Sequence, residues 1–189
     1  YTSAWSKNFW IKTTDSAASK HLVGKQEQSS PNQWVWTEIN WGKIRSYVYN
    51  GFVWSTARQT TSTFNDGNLH MVTITYDGSW LQAWLLTYVD NVLQAVTNEY
   101  SWTVASTVLT NEPFQVNGRW WSTDSTHTWL VDELWVRSRA LTTIEIGELY
   151  NSWAWLNPIT LSTSLVSYYK MDETTGTTVA DSVGSNNLT

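Results

Sequence analysis

Flat aromatic side chains are the residues of this sequence whose chemistry stands out, because 15 of its 189 residues are tryptophan and nine are tyrosine. Tyr47 and Tyr49 lie two residues apart in an alternating apolar and polar pattern, so a strand would carry both rings on one side. Flat apolar rings stack on the C–H-rich faces of sugars. The predicted ligand-binding residues, for a glycan, are Trp36, Tyr47, Tyr49, Trp120 and Trp121.

Twelve of the tryptophans stand in contexts rich in Asn, Asp, Gly and Ser, which are typical of turns and strand ends. Glycine is the expected residue where φ is positive, since a Cβ is unfavourable there. Three alternatives are open: rings that bind a ligand from loops, rings that fill gaps under loops, or translation as tryptophan of a UGA codon that some bacterial lineages read as glycine. If the codon alternative holds, replacing Trp41, Trp80 or Trp129 by Gly is expected to stabilise the fold. The twelve are Trp5, Trp34, Trp41, Trp54, Trp80, Trp84, Trp102, Trp120, Trp121, Trp129, Trp153 and Trp155.

Asp132 is a carboxylate inside an apolar strand pattern. Simple alternation places it on one face with Leu130, Leu134 and Val136. If that face is buried, the carboxylate requires a bound cation or strong hydrogen-bond donors such as backbone N–H groups. Both alternatives are open from the pattern.

Catalytic residues are not indicated by the sequence. Glycoside hydrolysis uses two carboxylates that flank the scissile bond. Asp132 and Glu133 are adjacent, which simple alternation sends to opposite faces, and neither Glu38 nor Glu99 has a partner in the predicted strands. The three histidines lack the spacing of a zinc site. We therefore predict that the chain is not an enzyme.

The composition limits the classes of partner. The formal net charge is -5 and Lys and Arg do not cluster, which argues against nucleic acid. No apolar run is long enough to cross a membrane. The absence of cysteine excludes disulfides and thiolate metal sites. A Ser-, Thr- and Asn-rich, Lys-poor chain is typical of bacterial β-proteins outside the cell, so we predict an extracellular or cell-surface location without membrane insertion.

Short alternating segments separated by turns dominate the chain, without the alternation of strands and helices that marks a parallel sheet. The spacing of Thr142 and Glu145 is that of a capping box and predicts one short helix. The pattern predicts an all-β, two-sheet antiparallel sandwich. Strands are predicted at Phe9 to Thr13, Lys43 to Tyr49, Met71 to Tyr76, Leu85 to Asp90, Phe114 to Asn117, Leu130 to Val136 and Leu165 to Met171.

An ordered set of segments carries a family resemblance across about residues 5–151. It comprises Phe9 to Thr13, Phe64 to Gly78, Tyr88 to Asn91, Phe114 to Gly118, Leu130 to Val136 and Arg139 to Leu141. In order and spacing this set resembles the LamG-like family of concanavalin A-like lectin and glucanase jelly rolls. The resemblance implies a jelly-roll sandwich and a structural Ca²⁺ near the paired first and last strands, with Asp132 and Asp172 as oxygen ligands.

The C-terminal part of the chain has a different texture. Leu165 to Thr174 resembles the opening strand of such a domain, which residues 1–10 lack. We predict a LamG-like domain without its own first strand at 1–157, a linker at 158–164, and the first strand and loop of the next tandem repeat at 165–189. That strand is expected to complete the sandwich beside Leu130 to Val136.

Together these features favour a non-catalytic carbohydrate-binding or adhesion module of a bacterial surface protein. The expected partners are a glycan or cell-surface polysaccharide and neighbouring repeats of the same protein. Two alternatives are open: a structural spacer repeat without a ligand, and a glycoside hydrolase of the concanavalin A-like fold.

Overall fold

The computed structural model describes residues 3–26, 33–50, 55–79, 81–101, 114–116, 129–151, 163–176 and 178–188. Within them lie a short 3₁₀ helix (Gln82–Trp84), helix α1 (Thr143–Asn151) and strands β1 (Trp5–Thr13), β2 (Lys20–Gln26), β3 (Gln33–Asn40), β4 (Lys43–Asn50), β5 (Ser55–Thr60), β6 (Leu69–Tyr76), β7 (Leu85–Val89), β8 (Val92–Leu93), β9 (Val96–Ser101), β10 (Gln115–Val116), β11 (Trp129–Arg137) and β12 (Leu165–Tyr169).

The strands form two six-stranded sheets. The first sheet has the order β12-β11-β1-β6-β7-β8, and the second has the order β10-β2-β3-β4-β5-β9. Every described neighbouring pair is antiparallel. The predicted fold class, a two-sheet antiparallel jelly-roll sandwich, is confirmed.

The hydrophobic core lies between the two sheets, and alternation along the strands supplies it. Ile44 and Val48 of β4 are buried in one core cluster with Val72 and Ile74 of β6. Tyr47, between the two β4 residues, is only half-buried and lies on the outer face of the second sheet. The alternation predicted for β4 is therefore confirmed.

Helix α1 covers the outer face of the first sheet. Its Ile146 and Leu149 pack in a second buried cluster with Trp135 of β11 and Tyr168 of β12. The capping box is present, because the Thr142 N–H donates to Glu145 Oε2 at 2.8 Å and the helix N–H of that glutamate donates to the Thr142 hydroxyl at 3.3 Å. No helix of the described residues is long and apolar enough to cross a membrane.

Strand β11 contains a bulge opposite β1. Asn8 pairs with Trp135 and Trp10 pairs with Asp132, so β11 holds one residue more than β1 over this stretch. Glu133 supplies the bulge and has a φ of 51°. An extra residue in one strand reverses the phase of its alternation beyond that point.

The bulge overturns the predicted environment of Asp132. Before the bulge, Val131 lies in the core and Leu130 is exposed; after it, Leu134 and Val136 lie in the core. Asp132 therefore shares the outer face with Leu130 and not the core face with Leu134 and Val136. The prediction assumed unbroken alternation, and a single inserted residue breaks it.

The β3–β4 turn consists of two residues, Trp41 and Gly42, with φ values of 54° and 77°. Positive φ at both positions is the requirement of a type I′ hairpin turn, where Asn-Gly is favoured. The indole of Trp41 is 64% exposed, so no burial offsets its backbone conformation. The prediction of a glycine-like position is correct for Trp41.

Other described tryptophans of the suspect set do not occupy glycine-like positions. Trp5 and Trp129 begin strands and are buried in the core, and Trp34 lies within β3. Trp84 ends the 3₁₀ helix and is half-exposed. None of these four has positive φ. The backbone strain expected at a glycine position is therefore absent at these four residues, while Trp80 lies outside the described residues.

The C-terminal strand β12 pairs antiparallel with β11, with Trp135 opposite Tyr168. This is the neighbour expected from the sequence. Asp181 holds the following loop against β12, since its Oδ1 accepts the N–H of Tyr168 at 3.0 Å and of Val183 at 3.1 Å. Burial alone would raise the pKa of Asp181, but hydrogen bonds from the backbone of Gly184, Tyr168 and Val183 lower it to about 2. The division of the chain into repeats and a linker stays a prediction.

Lys7 is a buried cation at a core-facing position of β1. Its neighbours two residues away, Trp5 and Phe9, lie in the core cluster. The Nζ donates to the carbonyl of Val23 in the opposite sheet at 3.2 Å and lies 5.7 Å from the Trp5 ring centroid. Burial lowers the pKa of Lys7 to about 7, because removal from water disfavours the charged ammonium.

Replacing Trp41 by Gly is expected to increase the free energy of unfolding by about 1 kcal/mol, because the strain of an L-residue at positive φ is removed. Chemical denaturation measures the change. Trp84→Gly removes an equally accessible ring without positive φ and is not expected to stabilise. Trp129→Gly empties a core position and is expected to cost about 3–5 kcal/mol, opposite to the sequence-based expectation. Loss of stability in Trp41→Gly would contradict the strain argument.

Replacing Lys7 by Met is expected to stabilise the fold and flatten its dependence on pH. Between pH 7, near the pKa of Lys7 in the folded state, and pH 10.5, its ordinary value, the unfolded chain binds a proton that the folded chain does not. Stability of the parent chain should therefore rise with pH across this window.

Urea unfolding at pH 6 and pH 9 tests this expectation. Lys12→Met removes an exposed lysine of the same strand and is the matched control. Its free energy of unfolding should change with pH as much as that of the parent chain. An equal pH dependence in the Lys7→Met variant and the parent would rule out Lys7 as its source.

Candidate functional site: an aromatic groove

An aromatic groove of about 340 Å³ lies on the outer face of the second sheet. Cavities of this size accommodate small ligands. Four strands contribute to its walls and floor: β2, β3, β4 and β9. The described lining residues are His21, Trp34, Trp36, Glu38, Tyr47, Tyr49 and Tyr100.

The two-residue turn between β3 and β4 sets which side chains meet in the groove. It places Trp36 opposite Tyr47 and Trp34 opposite Tyr49. Directly opposed residues of antiparallel strands point to the same face. The rings of Trp34 and Tyr49 are 4.9 Å apart between centroids, at an interplanar angle of 36°. This cross-strand pair forms one end of the aromatic surface.

Gly24 of β2 makes room for the floor of the groove. It pairs with Trp36, and a Cβ at this position would lie 2.6 Å from Cε3 of that indole and 2.3 Å from the carbonyl oxygen of Val35. The absence of a side chain allows the Trp36 ring to sit low on the sheet, where it is 2% exposed. His21 packs beside it, with ring centroids 4.4 Å apart.

Small residues also open the other side of the groove. Ala57 of β5 lies directly between Tyr47 and Tyr100 in the register of the sheet. Its methyl group is fully buried, so it adds little bulk between the two tyrosines. Tyr100 is half-exposed and Tyr47 is half-buried, so both present ring surface to an incoming molecule.

Glu38 is the charged group at the floor of the groove. Its Oε1 accepts hydrogen bonds from Nε of Arg45 at 2.7 Å, from Nη2 of the same guanidinium, and from the hydroxyl of Tyr47 at 3.1 Å. Its Oε2 lies 3.2 Å from Nε2 of His21. A carboxylate this deeply buried is stable only because several donors surround it.

The electrostatics of the floor follow from these contacts. Burial alone would raise the pKa of Glu38, but the hydrogen bond from His21 and the positive charge of Arg45 outweigh it, and the pKa is lowered. Burial and the negative charge of Glu38 together raise the pKa of Tyr47. At neutral pH the floor therefore holds a carboxylate and a neutral phenol.

Arg45 connects this floor to a second carboxylate. Its Nη1 donates to Glu99 Oε2 at 2.8 Å, and its Nη2 donates to the hydroxyl of Ser19 at 2.9 Å as well as to Glu38. The guanidinium carbon lies 5.0 Å from the Tyr47 ring centroid. The cation thus supports an aromatic wall while its donors are used by neighbouring side chains.

Unsatisfied buried polar atoms lie beside the groove. Within the described part of the chain, Trp36 Nε1, Gln115 Oε1 and both amide atoms of Gln26 are buried without a hydrogen-bond partner. The register places Gln26 opposite Trp34 and Gln115 opposite Gly24, hence on the outer face of the second sheet. Buried polar groups are normally hydrogen-bonded, so these atoms mark where the protein has unused hydrogen-bonding capacity.

Three of the predicted ligand-binding residues come together in this groove, namely Trp36, Tyr47 and Tyr49. Trp120 and Trp121 lie outside the described residues. Of the three, Trp36 forms the floor, while the two tyrosines are half-buried walls.

Sequence reasoning missed His21, Trp34, Glu38 and Tyr100 as groove residues. No second catalytic carboxylate was predicted beside Glu38 or Glu99, and the structure shows that both bind Arg45, which the sequence pattern did not indicate. The turn between Asn40 and Lys43 could have indicated the ion pair of Glu38 with Arg45. A two-residue loop at this position places residue 38 opposite residue 45.

The predicted calcium ligands lie away from this groove, on the first sheet. Burial and the nearby charges of Glu133 and Asp172 raise the pKa of Asp132. Its Oδ1 accepts the N–H of Glu133 at 3.0 Å, and the Glu133 carboxylate accepts a hydrogen bond from the hydroxyl of Tyr168. The two acids therefore do not lie on opposite faces of the sheet, as simple alternation suggested. In the described part of the chain, no three or more His, Cys, Asp or Glu side chains are grouped to hold a metal ion. Calcium at Asp132 and Asp172 stays a prediction.

Comparison with known proteins shows the fold. Neither a protein-family model nor a curated protein sequence matches the chain. A protein from Bacteroides ovatus, described as a candidate carbohydrate-binding protein, is similar with a TM-score of 0.67 at 17% identity over 98% of this chain and 51% of that one.

Two botulinum neurotoxin structures are also similar. One is of type C, whose cell entry depends on two ganglioside molecules, with a TM-score of 0.60 at 13% identity over 83% of this chain and 38% of that one. The other is the neurotoxin DC binding domain in complex with SialylT, with a TM-score of 0.59 at 12% identity over 82% of this chain and 37% of that one. What these proteins share with the chain is the β-sandwich fold. The LamG-like family itself stays a prediction.

Replacing Glu38 by Gln is expected to lower the free energy of unfolding by about 2 kcal/mol at neutral pH, because hydrogen bonds to a buried charge are lost. Since the pKa of Glu38 lies below its ordinary 4.5 in the folded state, this contribution is present above pH 4.5 and lost as the pH falls through the folded value.

Chemical denaturation at pH 7 and at pH 3 measures this contribution. Glu99→Gln removes a more exposed partner of the same arginine and should cost less than about 1 kcal/mol. Equal losses in the two variants would contradict the assignment of Glu38 as the central charge.

Proposed function

We propose that this chain is a non-catalytic carbohydrate-binding module and that the aromatic groove on the second sheet is its binding site. One observation carries the proposal: five aromatic rings line a single groove whose floor also holds a hydrogen-bonded carboxylate. Aromatic rings with a few fixed polar groups are the chemistry that recognises sugars, since a sugar ring has an apolar face and a polar edge.

The aromatic rings of the groove have two different positions, at its walls and at its floor. Tyr49, Trp34 and Tyr100 present ring surface at the walls, whereas Trp36 is buried and supports them from the floor. Residues two apart in a strand are about 6.8 Å apart, so the rings of neighbouring strands form a surface that extends beyond one sugar ring. A short stretch of polysaccharide fits such a surface better than a monosaccharide.

A binding role is favoured over hydrolysis by the state of Glu38. A glycosidase requires a carboxylic acid that is protonated at working pH. Glu38 has a lowered pKa and is surrounded by donors from three side chains, so it is ionised and already hydrogen-bonded. This supports binding without catalysis, and a test for hydrolysis belongs in the same experiment.

The wider setting of the module is part of the proposal. We propose an extracellular or cell-surface location in a bacterial protein, where the module attaches its protein to a glycan and adjoins repeats of the same kind. Support comes from the similarity in fold to binding domains, one of which belongs to a protein that interacts with gangliosides.

Binding to a panel of polysaccharides and glycans, by affinity electrophoresis and a glycan array, tests the proposal. Tyr49→Ala and Tyr100→Ala are each expected to weaken binding about tenfold, because each removes a stacking ring worth ~1.4 kcal/mol. Trp84→Ala, which removes an exposed ring outside the described groove lining, is the control and should bind like the parent.

Three outcomes contradict the proposal. A folded parent chain that binds no member of the panel supports the structural spacer instead. Shortened glycan products support a hydrolase. Binding that survives both tyrosine variants but is lost in the double variant Trp120→Gly and Trp121→Gly moves the site to that pair.

A further inference from the structure

The charges of the groove determine which glycans it accepts. Glu38 and Glu99 both bind Arg45, so two carboxylates share one guanidinium. The described lining contains no Lys or Arg side chain, because Arg45 lies behind the Tyr47 ring. Among the described groups, two carboxylates therefore face one guanidinium, and the other side chain of the described lining that can carry positive charge, His21, is itself bound to Glu38.

Four of the five N–H donors of Arg45 are already committed. Nε and Nη2 bind Glu38, Nη2 also binds Ser19, and Nη1 binds Glu99. A guanidinium has five N–H donors, and an entering carboxylate is recognised best by two of them in parallel. To obtain that pair, an acidic sugar would have to displace one of the protein's own carboxylates.

Neutral hydrogen-bonding groups have the opposite character. Trp36 Nε1, at the floor of the groove, carries no charge and has no hydrogen-bond partner among the described residues. The Tyr47 hydroxyl donates to Glu38, and the raised pKa of this phenol keeps it neutral. Sugar hydroxyl groups both donate and accept, so they match such groups without introducing charge.

We infer that the groove selects uncharged glycans and rejects those that carry a carboxylate, such as sialylated or uronic-acid glycans. This inference rests on the proposed function of the same groove. It separates this chain from the neurotoxin binding domain of similar fold, which is in complex with SialylT. The cause is the shared guanidinium, which leaves the groove without a free cation among the described residues.

Glycan pairs with and without a carboxylate test the inference, and the methyl-ester pair keeps every sugar residue the same. Sialylated glycans on an array are measured before and after sialidase treatment, and homogalacturonan is measured with and without methyl esters. The parent chain is expected to bind the uncharged member of a pair at least tenfold more tightly. Raising the NaCl concentration from 0.05 M to 0.5 M should narrow this ratio, because salt screens the repulsion.

The Glu99→Ala variant tests the cause. It removes one carboxylate and releases Nη1 of Arg45, so the ratio between uncharged and carboxylated members should fall several-fold. Glu148→Ala, which removes an exposed acid from α1 on the other sheet, is the matched control and should keep the parent ratio. Circular dichroism confirms that both variants are folded.

The outcomes separate the inference from the proposed function. Equal or tighter binding of the carboxylated member overturns the inference while the proposed function stands. An unchanged ratio in Glu99→Ala overturns the role of the shared guanidinium. Absence of binding to both members of every pair, by a folded parent chain, overturns the proposed function itself.

Discussion

The groove depends on one geometric constraint, the two-residue turn at Trp41 and Gly42. Because side chains of a strand alternate between faces, the length of this loop decides which residues of β3 and β4 share the outer face. One residue more or fewer would move Glu38 away from Arg45 and place apolar core residues in solvent. The positive φ of both turn residues is therefore linked to the pairing of Glu38 with Arg45, the third residue pair from the turn.

The fold was predictable because its signals are local and repeated. Alternation in β4 placed Tyr47 and Tyr49 on one side of the strand, and the spacing of Thr142 and Glu145 identified the helix start. The error at Asp132 arose from Glu133, whose bulge reverses the phase of β11. Nothing in the composition of that segment distinguishes a bulge from regular strand, because the bulge is selected by pairing with β1.

The binding site was predictable only in part, for a different reason. The alternating tyrosines of β4 indicated one wall of the groove, but the residues facing them come from strands that the pattern did not identify. In β3, Trp34 was interpreted as a turn residue, although aromatic residues are favourable in strands. Charge pairing such as that of Arg45 with Glu99 joins residues 54 positions apart, and single-sequence patterns do not report such contacts.

Gly24 has a consequence for how sites of this kind diversify. The indole of Trp36 lies against its Cα, and even one methyl group there would collide with the ring and with the neighbouring carbonyl. Alanine at this position would have to displace the β3 backbone as well as the ring, so the glycine is required both for close pairing of β2 with β3 and for the depth of the groove. The depth of the site is thus encoded on a strand beside it, so chains that share every aromatic residue of the groove can still differ in the thickness of the molecule they admit.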